Sequence, residues 1–195
     1  MDFVPDFLDF DCQLRNIGEI RDNTTELKGG KRVNRMKLGI HQLKWEMDSL
    51  CSVLKLGRLY YEATGDATPF DGRWREAVEL IIHTFYAMQA PLDPTNFTQV
   101  NYTFQTVTTE NKDTASHGIG RFHRWTGMIR TLFMPSDDST RLPYFVPANA
   151  FAVTELLGTA ALLRNLSTTS EDAALAKKAE VRSRPISPPN SPDFT

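Results

Sequence analysis

From Leu43 onward the apolar residues of this chain recur at three- and four-residue steps, and that period decides the class of fold. Leu43, Met47, Leu50, Leu54 and Tyr61 share one stripe, widened by Trp45, Val53, Leu56 and Tyr60. The spacing predicts a long helix over about 43–63, stopped by Gly65 near the C′ position. A second helix is expected over about 72–89. Asp71 can cap it, Trp74, Val78, Ile81, Ile82, Phe85 and Met88 recur on one face, and Pro91 and Pro94 end it. Pro147 suits the first turn of a third helix, which runs to about Leu166 with Val153, Leu156, Leu157, Ala160 and Leu163 aligned. A fourth stretch, Ser170–Val181, is rich in Ala, Lys and Glu and reads as a weak amphipath.

One segment follows a different period. Over 99–107, Val100, Tyr102 and Phe104 alternate with Asn101, Thr103 and Gln105, as in a half-buried strand. The expected partner is 125–133, which makes a short β-hairpin insertion in a mainly α chain. The polar stretch from Glu110 to Gly120 reads as a loop, and Pro135–Ser139 as a turn. The organised part is then about 42–166. Residues 1–41 form an irregular lead-in, and 167–195 a divergent tail whose Ser- and Pro-rich end is expected to be disordered.

Composition narrows the classes of function. Lys plus Arg number 22 against 24 Asp plus Glu, a formal charge of −2 that excludes nucleic-acid binding through bulk charge. The basic run Lys28, Lys31, Arg32, Arg35 and Lys37 has no interleaved aromatic residue, so it reads as a solvated segment. No apolar run is read as reaching the ~18 residues of a membrane span. Nucleic acid and membrane are therefore not expected partners. Cys12 and Cys51 make neither a disulfide framework nor a zinc site. The first residues, with Asp2, Asp6, Asp9 and Asp11, do not read as a signal peptide. Glycosylation sequons at Asn23, Asn96, Asn101 and Asn165 would suit a secretory ancestry, although frequent Thr also accounts for them, so localisation stays open.

Two short segments can carry chemistry. In Lys44-Trp45-Glu46-Met47-Asp48-Ser49-Leu50-Cys51, a helix would put Asp48 one turn from Lys44, Trp45, Cys51 and Ser52. The helix N-terminus lowers the proton affinity of such a carboxyl, desolvation by the indole raises it, and a raised value is what a general acid needs. The plainer alternative is a surface Asp paired with Lys44. Glu46 reads as a capping or salt-bridge residue. In Pro135-Ser136-Asp137-Asp138, adjacent carboxylates on a turn can orient sugar hydroxyls, or simply make an Asp-rich turn. His41, His83, His117 and His123 lack metal-ligand spacing, so neither a metal nor another cofactor is expected.

Together these segments resemble glycoside hydrolase family 125, the metal-independent exo-α-1,6-mannosidases. The resemblance lies in Lys44–Cys51, Tyr60-Tyr-Glu-Ala-Thr-Gly-Asp66, Trp125-Thr-Gly-Met128, Pro135–Asp138 and Pro147-Ala-Asn-Ala-Phe-Ala-Val153, in the family's order across 42–166. It implies an (α/α)6 barrel of twelve helices and an inverting hydrolysis of terminal α-1,6-linked mannose from a mannoside or mannose-containing glycan. In that chemistry one carboxyl protonates the leaving oxygen while a second, roughly 6.5–9.5 Å away, activates water. The resemblance makes Asp48 the acid and places Ser136, Asp137, Asp138 and Asn149 along the sugar.

The family's members are more than twice as long, and their base is a Glu in the carboxy-terminal half. No counterpart to it is read here, since Glu171 and Glu180 lie in a tail of different composition. The expectation is thus an incomplete (α/α)6 barrel: a truncated mannosidase that keeps the acid, lacks the base and turns over poorly. The alternative is a catalytically inactive helical module that binds a sugar or a partner. Oligomeric state is not legible.

Overall fold

The computed structural model describes residues 25–28, 31–34, 44–95, 102–104, 115–166 and 169–183. Among these the chain is mainly helical, with α1 at Met47–Thr64, α2 at Gly72–Ala87, α3 at Val146–Leu166 and α4 at Ser170–Arg182. The chain divides into two units. One comprises residues 1–49, 90–124 and 130–145, the other 50–89, 125–129 and 146–195.

The helical unit is assembled from signals visible in the sequence. Asp71 caps α2, its carboxylate accepting from the backbone N–H of Arg73 and Trp74. Gly65 closes α1 at φ 65°, with its N–H donating to the Tyr61 carbonyl. Any other residue would meet the left-handed penalty there. Thr169 caps α4 through Asp172 N. The core gathers Leu54, Val78, Ile81, Phe85, Leu156, Ala160 and Leu163, all essentially inaccessible. Each large aliphatic side chain removed from water contributes about 1.5–3 kcal/mol before the entropy of ordering it.

α4 is more than a weak amphipath. It packs on α3 most extensively and also touches α2. It buries Leu175, Ala176 and Ala179, and its buried Asp172 pairs with Arg75 of α2. Small residues suffice here because they let two helix backbones approach closely. α3 is long and apolar enough, with mean hydropathy 1.4, to match a membrane span by length and composition, contrary to the sequence expectation. Within its unit it is a core helix: Glu155 and Thr159 are buried on the same side as Leu156 and Leu163. Asn165 is exposed in its last turn, while the sequons at Asn23, Asn96 and Asn101 lie outside the described residues.

The other unit contains the strands. β1 (Thr25–Lys28) pairs antiparallel with β2 (Lys31–Asn34), with Lys28 opposite Lys31. On its other edge β1 pairs antiparallel with β3 (Tyr102–Thr103). Of the expected hairpin of 99–107 with 125–133, residues 99–101 and 105–107 lie outside the described residues, and the described ones do not pair with 125–133. Tyr102 stands opposite Glu26, and the segment 125–133 contains no strand. Gly127, at φ 78°, breaks the extended conformation that such a strand would need. The alternation nevertheless puts Phe104 inside, its ring edge-on to Phe133 at 5.0 Å.

Candidate active site

The first turn of α1 and the turn at 135–138 belong to the same unit, and one lysine joins them. α1 begins at Met47 rather than near residue 43, because residues 44–46 are drawn out of helical conformation by distant partners. Trp45 is fully buried and its Nε1 donates to the Arg130 carbonyl at 2.9 Å. Arg130 is itself buried and donates to the Ile119 carbonyl at 2.7 Å. Lys44 is 6% exposed and its Nζ reaches Asp137 twice, at 2.5 Å to Oδ1 and 3.1 Å to the backbone carbonyl. The ammonium also stands 4.9 Å from the centre of the Phe133 ring, within cation–π range.

This arrangement corrects the expected pairing of Lys44 with Asp48. A helix sets a lysine and an Asp four residues on side by side, and an extended segment does not. Lys44 precedes the helix and spends its charge on Asp137 instead.

The turn is closed by two hydrogen bonds, from Met134 N to the Asp138 carbonyl and from Asp137 N to the Met134 carbonyl, both 2.9 Å. Phe133 and Ser139 bridge at its base, and Ser136 Oγ donates to Asp138 Oδ2 at 3.1 Å. Asp137 occupies φ 69°, the one non-glycine residue in the left-handed region among those described. Asp138 lines a cavity of about 640 Å³ together with Arg121, Thr140, Arg141, Tyr144 and Phe145. The two arginines and two aromatic residues of that lining were not singled out in the sequence, because the chain brings them together only by folding. The arginine and aromatic content of the 121–145 stretch was the available signal.

Asp48 lies in the first turn of α1. Burial holds its carboxyl above the ordinary aspartate value, opposed by a hydrogen bond from its own backbone N–H. Of the two directions open from sequence, desolvation wins over the helix terminus. Glu46 is the residue the sequence reading undervalued. Burial raises its carboxyl to about 7, helped by the negative charges of Asp48 and Asp137 and opposed by Lys44 and by the Ser49 hydroxyl, which donates to Oε2 at 3.3 Å. The unit therefore brings together Lys44, Glu46, Asp48 and Asp137, with Asp138 on the neighbouring cavity.

Asn149 belongs to the helical unit. Its carboxamide accepts from Ile129 N at 2.8 Å and donates to the Ile129 carbonyl at 3.0 Å, so it clasps the backbone that follows Trp125-Thr-Gly-Met128. The Tyr60–Asp66 motif finishes α1: Tyr60 OH donates to Asp66 Oδ2 at 2.7 Å, and Asp66 Oδ1 accepts from Thr68 N.

Three comparisons bear on these residues. A solved metal-independent α-mannosidase of Streptococcus pneumoniae, in a non-productive complex with α-1,6-mannobiose, superposes with a TM-score of 0.67 and is 30% identical. The match covers 85% of this chain and 36% of that one, and the shared fold class is mainly α, that of the family's (α/α)6 barrel. The Meiotically up-regulated gene 157 protein of Schizosaccharomyces pombe is 35% identical over 60% of this chain and 24% of its own length. The chain thus spans about a quarter to a third of the relatives it matches. The model of the metal-independent α-mannosidases matches residues 14–188, well beyond the 42–166 marked by the motifs. With nearly its whole length matched, the chain belongs to glycoside hydrolase family 125.

Proposed function

We propose that this chain carries the proton-donating side of an inverting exo-α-mannosidase that removes terminal α-1,6-linked mannose from a mannose-containing glycan, with Asp48 as general acid. The observation that carries the reading is the carboxyl of Asp48 itself. It opens a helix in the family's motif, and burial favours its protonated form. A general acid has to reach the sugar with its proton on, and then release it to the departing oxygen as the glycosidic bond breaks. The mannobiose bound by the pneumococcal relative supports the choice of sugar and linkage.

Ser136, Asp137 and Asp138 are proposed to line the sugar, with Asp138 foremost because it borders the 640 Å³ cavity. Carboxylates there accept hydrogen bonds from vicinal hydroxyls, and Tyr144 and Phe145 offer apolar faces to a pyranose ring. Asn149 is proposed as a further substrate residue by its place in the family's motif; within its own unit it holds the backbone at Ile129. The second carboxyl, which activates water, is proposed to come from the part of the family's fold that these residues do not span.

The test is hydrolysis of α-1,6-mannobiose by the wild-type chain and by Asp48→Asn, followed by NMR of the anomeric protons. Slow turnover with β-mannose as first product, lowered a further 10²–10⁴-fold or so by D48N, is the expected result. Equal turnover by the two proteins would remove Asp48 from the mechanism. Heat on titration with mannobiose, without hydrolysis in either protein, would favour a sugar-binding module instead.

A further inference from the structure

Most polar side chains around the cavity beside Asp138 are engaged with the protein itself. Thr140 Oγ1 donates to the Thr131 carbonyl at 3.0 Å. Tyr144 OH donates to the Arg124 carbonyl, and its ring stands edge-on to His123 at 5.3 Å. Asp138 accepts from Ser136 Oγ. Two side chains differ. Arg121 and Arg141 border the cavity, and among the described residues neither guanidinium has a hydrogen bond or an ion pair. Both belong to the same unit as Asp138. The backbone under each is anchored. The Arg121 carbonyl meets His123 Nδ1 at 3.0 Å, and the backbone of His123 pairs with Leu92 in both directions. Arg141 follows Thr140, whose N–H donates to the Leu132 carbonyl at 2.9 Å, and the Pro143 carbonyl accepts from Thr131 N at 3.1 Å. Asp138 is the one carboxylate in the lining, so the two cations leave the cavity net positive.

An unmodified mannoside is neutral. Its hydroxyls accept from guanidinium N–H groups but leave both charges in place. A phosphate ester satisfies the donors and the charge together, because the planar guanidinium fork matches a pair of its oxygens. A phosphate monoester also carries roughly −1.5 to −2 at pH 7, which suits two cations better than the single charge of a sulfate ester or a carboxylate. Resting on the reading of this cavity as the sugar site, we propose that its ligand is a mannose glycan bearing a phosphate monoester, held by Arg121 and Arg141. The phosphate lies toward the arginines and away from Asp138, since two anions repel. Asp138 then accepts from the sugar hydroxyls, and Tyr144 and Phe145 supply the apolar faces for the ring. The inference narrows the substrate of the mannosidase reading to an anionic glycan.

The experiment is a calorimetric titration of the full 195-residue chain with mannose 6-phosphate, mannose 6-sulfate, mannose and inorganic phosphate. It is repeated for Arg121→Gln, Arg141→Gln, the double variant and Arg124→Gln, an exposed arginine that does not border the cavity. Arg121 and Arg141 are exposed, so glutamine at either position leaves the core untouched. Wild type is expected to bind mannose 6-phosphate about tenfold or more tightly than mannose, with mannose 6-sulfate between them. R121Q and R141Q are each expected to reduce that preference several-fold, the double variant to remove it, and R124Q to leave it. Equal affinity of wild type for mannose 6-phosphate and mannose would overturn the proposal, as would a preference that survives in the double variant. A loss in R124Q as large as in R141Q would overturn it too, because bulk charge would then be the cause. Inorganic phosphate bound as tightly as mannose 6-phosphate would overturn the sugar part and leave the arginine pair standing. None of these titrations involves hydrolysis, so their outcome is separate from the test of Asp48.

Discussion

Arg58 of α1 grips Glu155 of α3 with two parallel hydrogen bonds, from Nε to Oε2 at 2.9 Å and from Nη2 to Oε1 at 3.1 Å. The Glu155 side chain is 3% exposed, while the guanidinium keeps some contact with water and also reaches Glu62 one turn along its own helix. Removing the cation strands a buried carboxylate. Arg58→Met is expected to cost on the order of 3 kcal/mol, the low end for breaking a buried pair. R58M/E155M is expected to recover most of that loss, because neither charge then remains to be solvated. Urea unfolding of the single and double variants checks this, and a double variant no more stable than R58M alone would mean that the pair is not the source of the effect.

The same guanidinium explains Gly158. A Cβ built there would lie 2.3 Å from Arg58 Cδ and 2.8 Å from Nε, atoms that the Glu155 clasp holds in place. Alanine is the better helix former by about 1 kcal/mol. Gly158→Ala is nevertheless expected to lower stability by about 1–3 kcal/mol, as overpacking does. Thermal melts should show a smaller loss for G158A in the R58M background, where the obstacle is flexible. A gain in the wild-type background would show that the arginine moves freely.

Glu46 makes stability depend on pH. Its folded value of about 7 lies above the ordinary glutamate value of 4.5, so between the two the folded chain holds a proton that the unfolded chain releases. Its contribution is fully present below about 4.5 and is lost as pH rises toward 7. Glu46→Gln removes that dependence. Relative to wild type, E46Q is expected to gain stability between pH 4.5 and pH 8, read by denaturant titration at both values. A difference between the two proteins that is constant across this range would show that Glu46 titrates as an ordinary surface carboxyl.

Thr159 is fully buried in α3, and among the described residues its hydroxyl has no hydrogen-bond partner. An unpaired buried hydroxyl costs about 1–3 kcal/mol relative to one that is paired. Thr159→Val keeps the branched shape and removes the oxygen. A rise in stability of about 1 kcal/mol is expected in a chemical melt. A loss of that size would reveal a partner for the hydroxyl.

Much of the helical unit was legible before folding was considered. The periodicities at 43–63, 72–89 and 147–166, the cap at Asp71 and the stop at Gly65 correspond to α1, α2 and α3, because a helix is specified by residues within a turn or two of one another. The late start of α1 was not legible, since Trp45 and Lys44 answer to Arg130 and Asp137, 85 and 93 residues away. The partner of the strand at Tyr102 was misread for a related reason. Alternation shows which side chains face inward but says nothing of which edge is paired.

The motif around Asp48 and the turn at 135–138 were visible as words in the sequence, and with the three other segments in the family's order they carried the resemblance to a family of mannosidases. What folding decided is the state of the charges. Whether Asp48 and Glu46 hold protons, and whether Lys44 neutralises them or Asp137, depends on burial and on contacts between distant segments. Helix periodicity is a free energy of neighbours in the chain, so sequence carries it openly. Proton affinity is a free energy of neighbours in space, and only the tertiary structure supplies those.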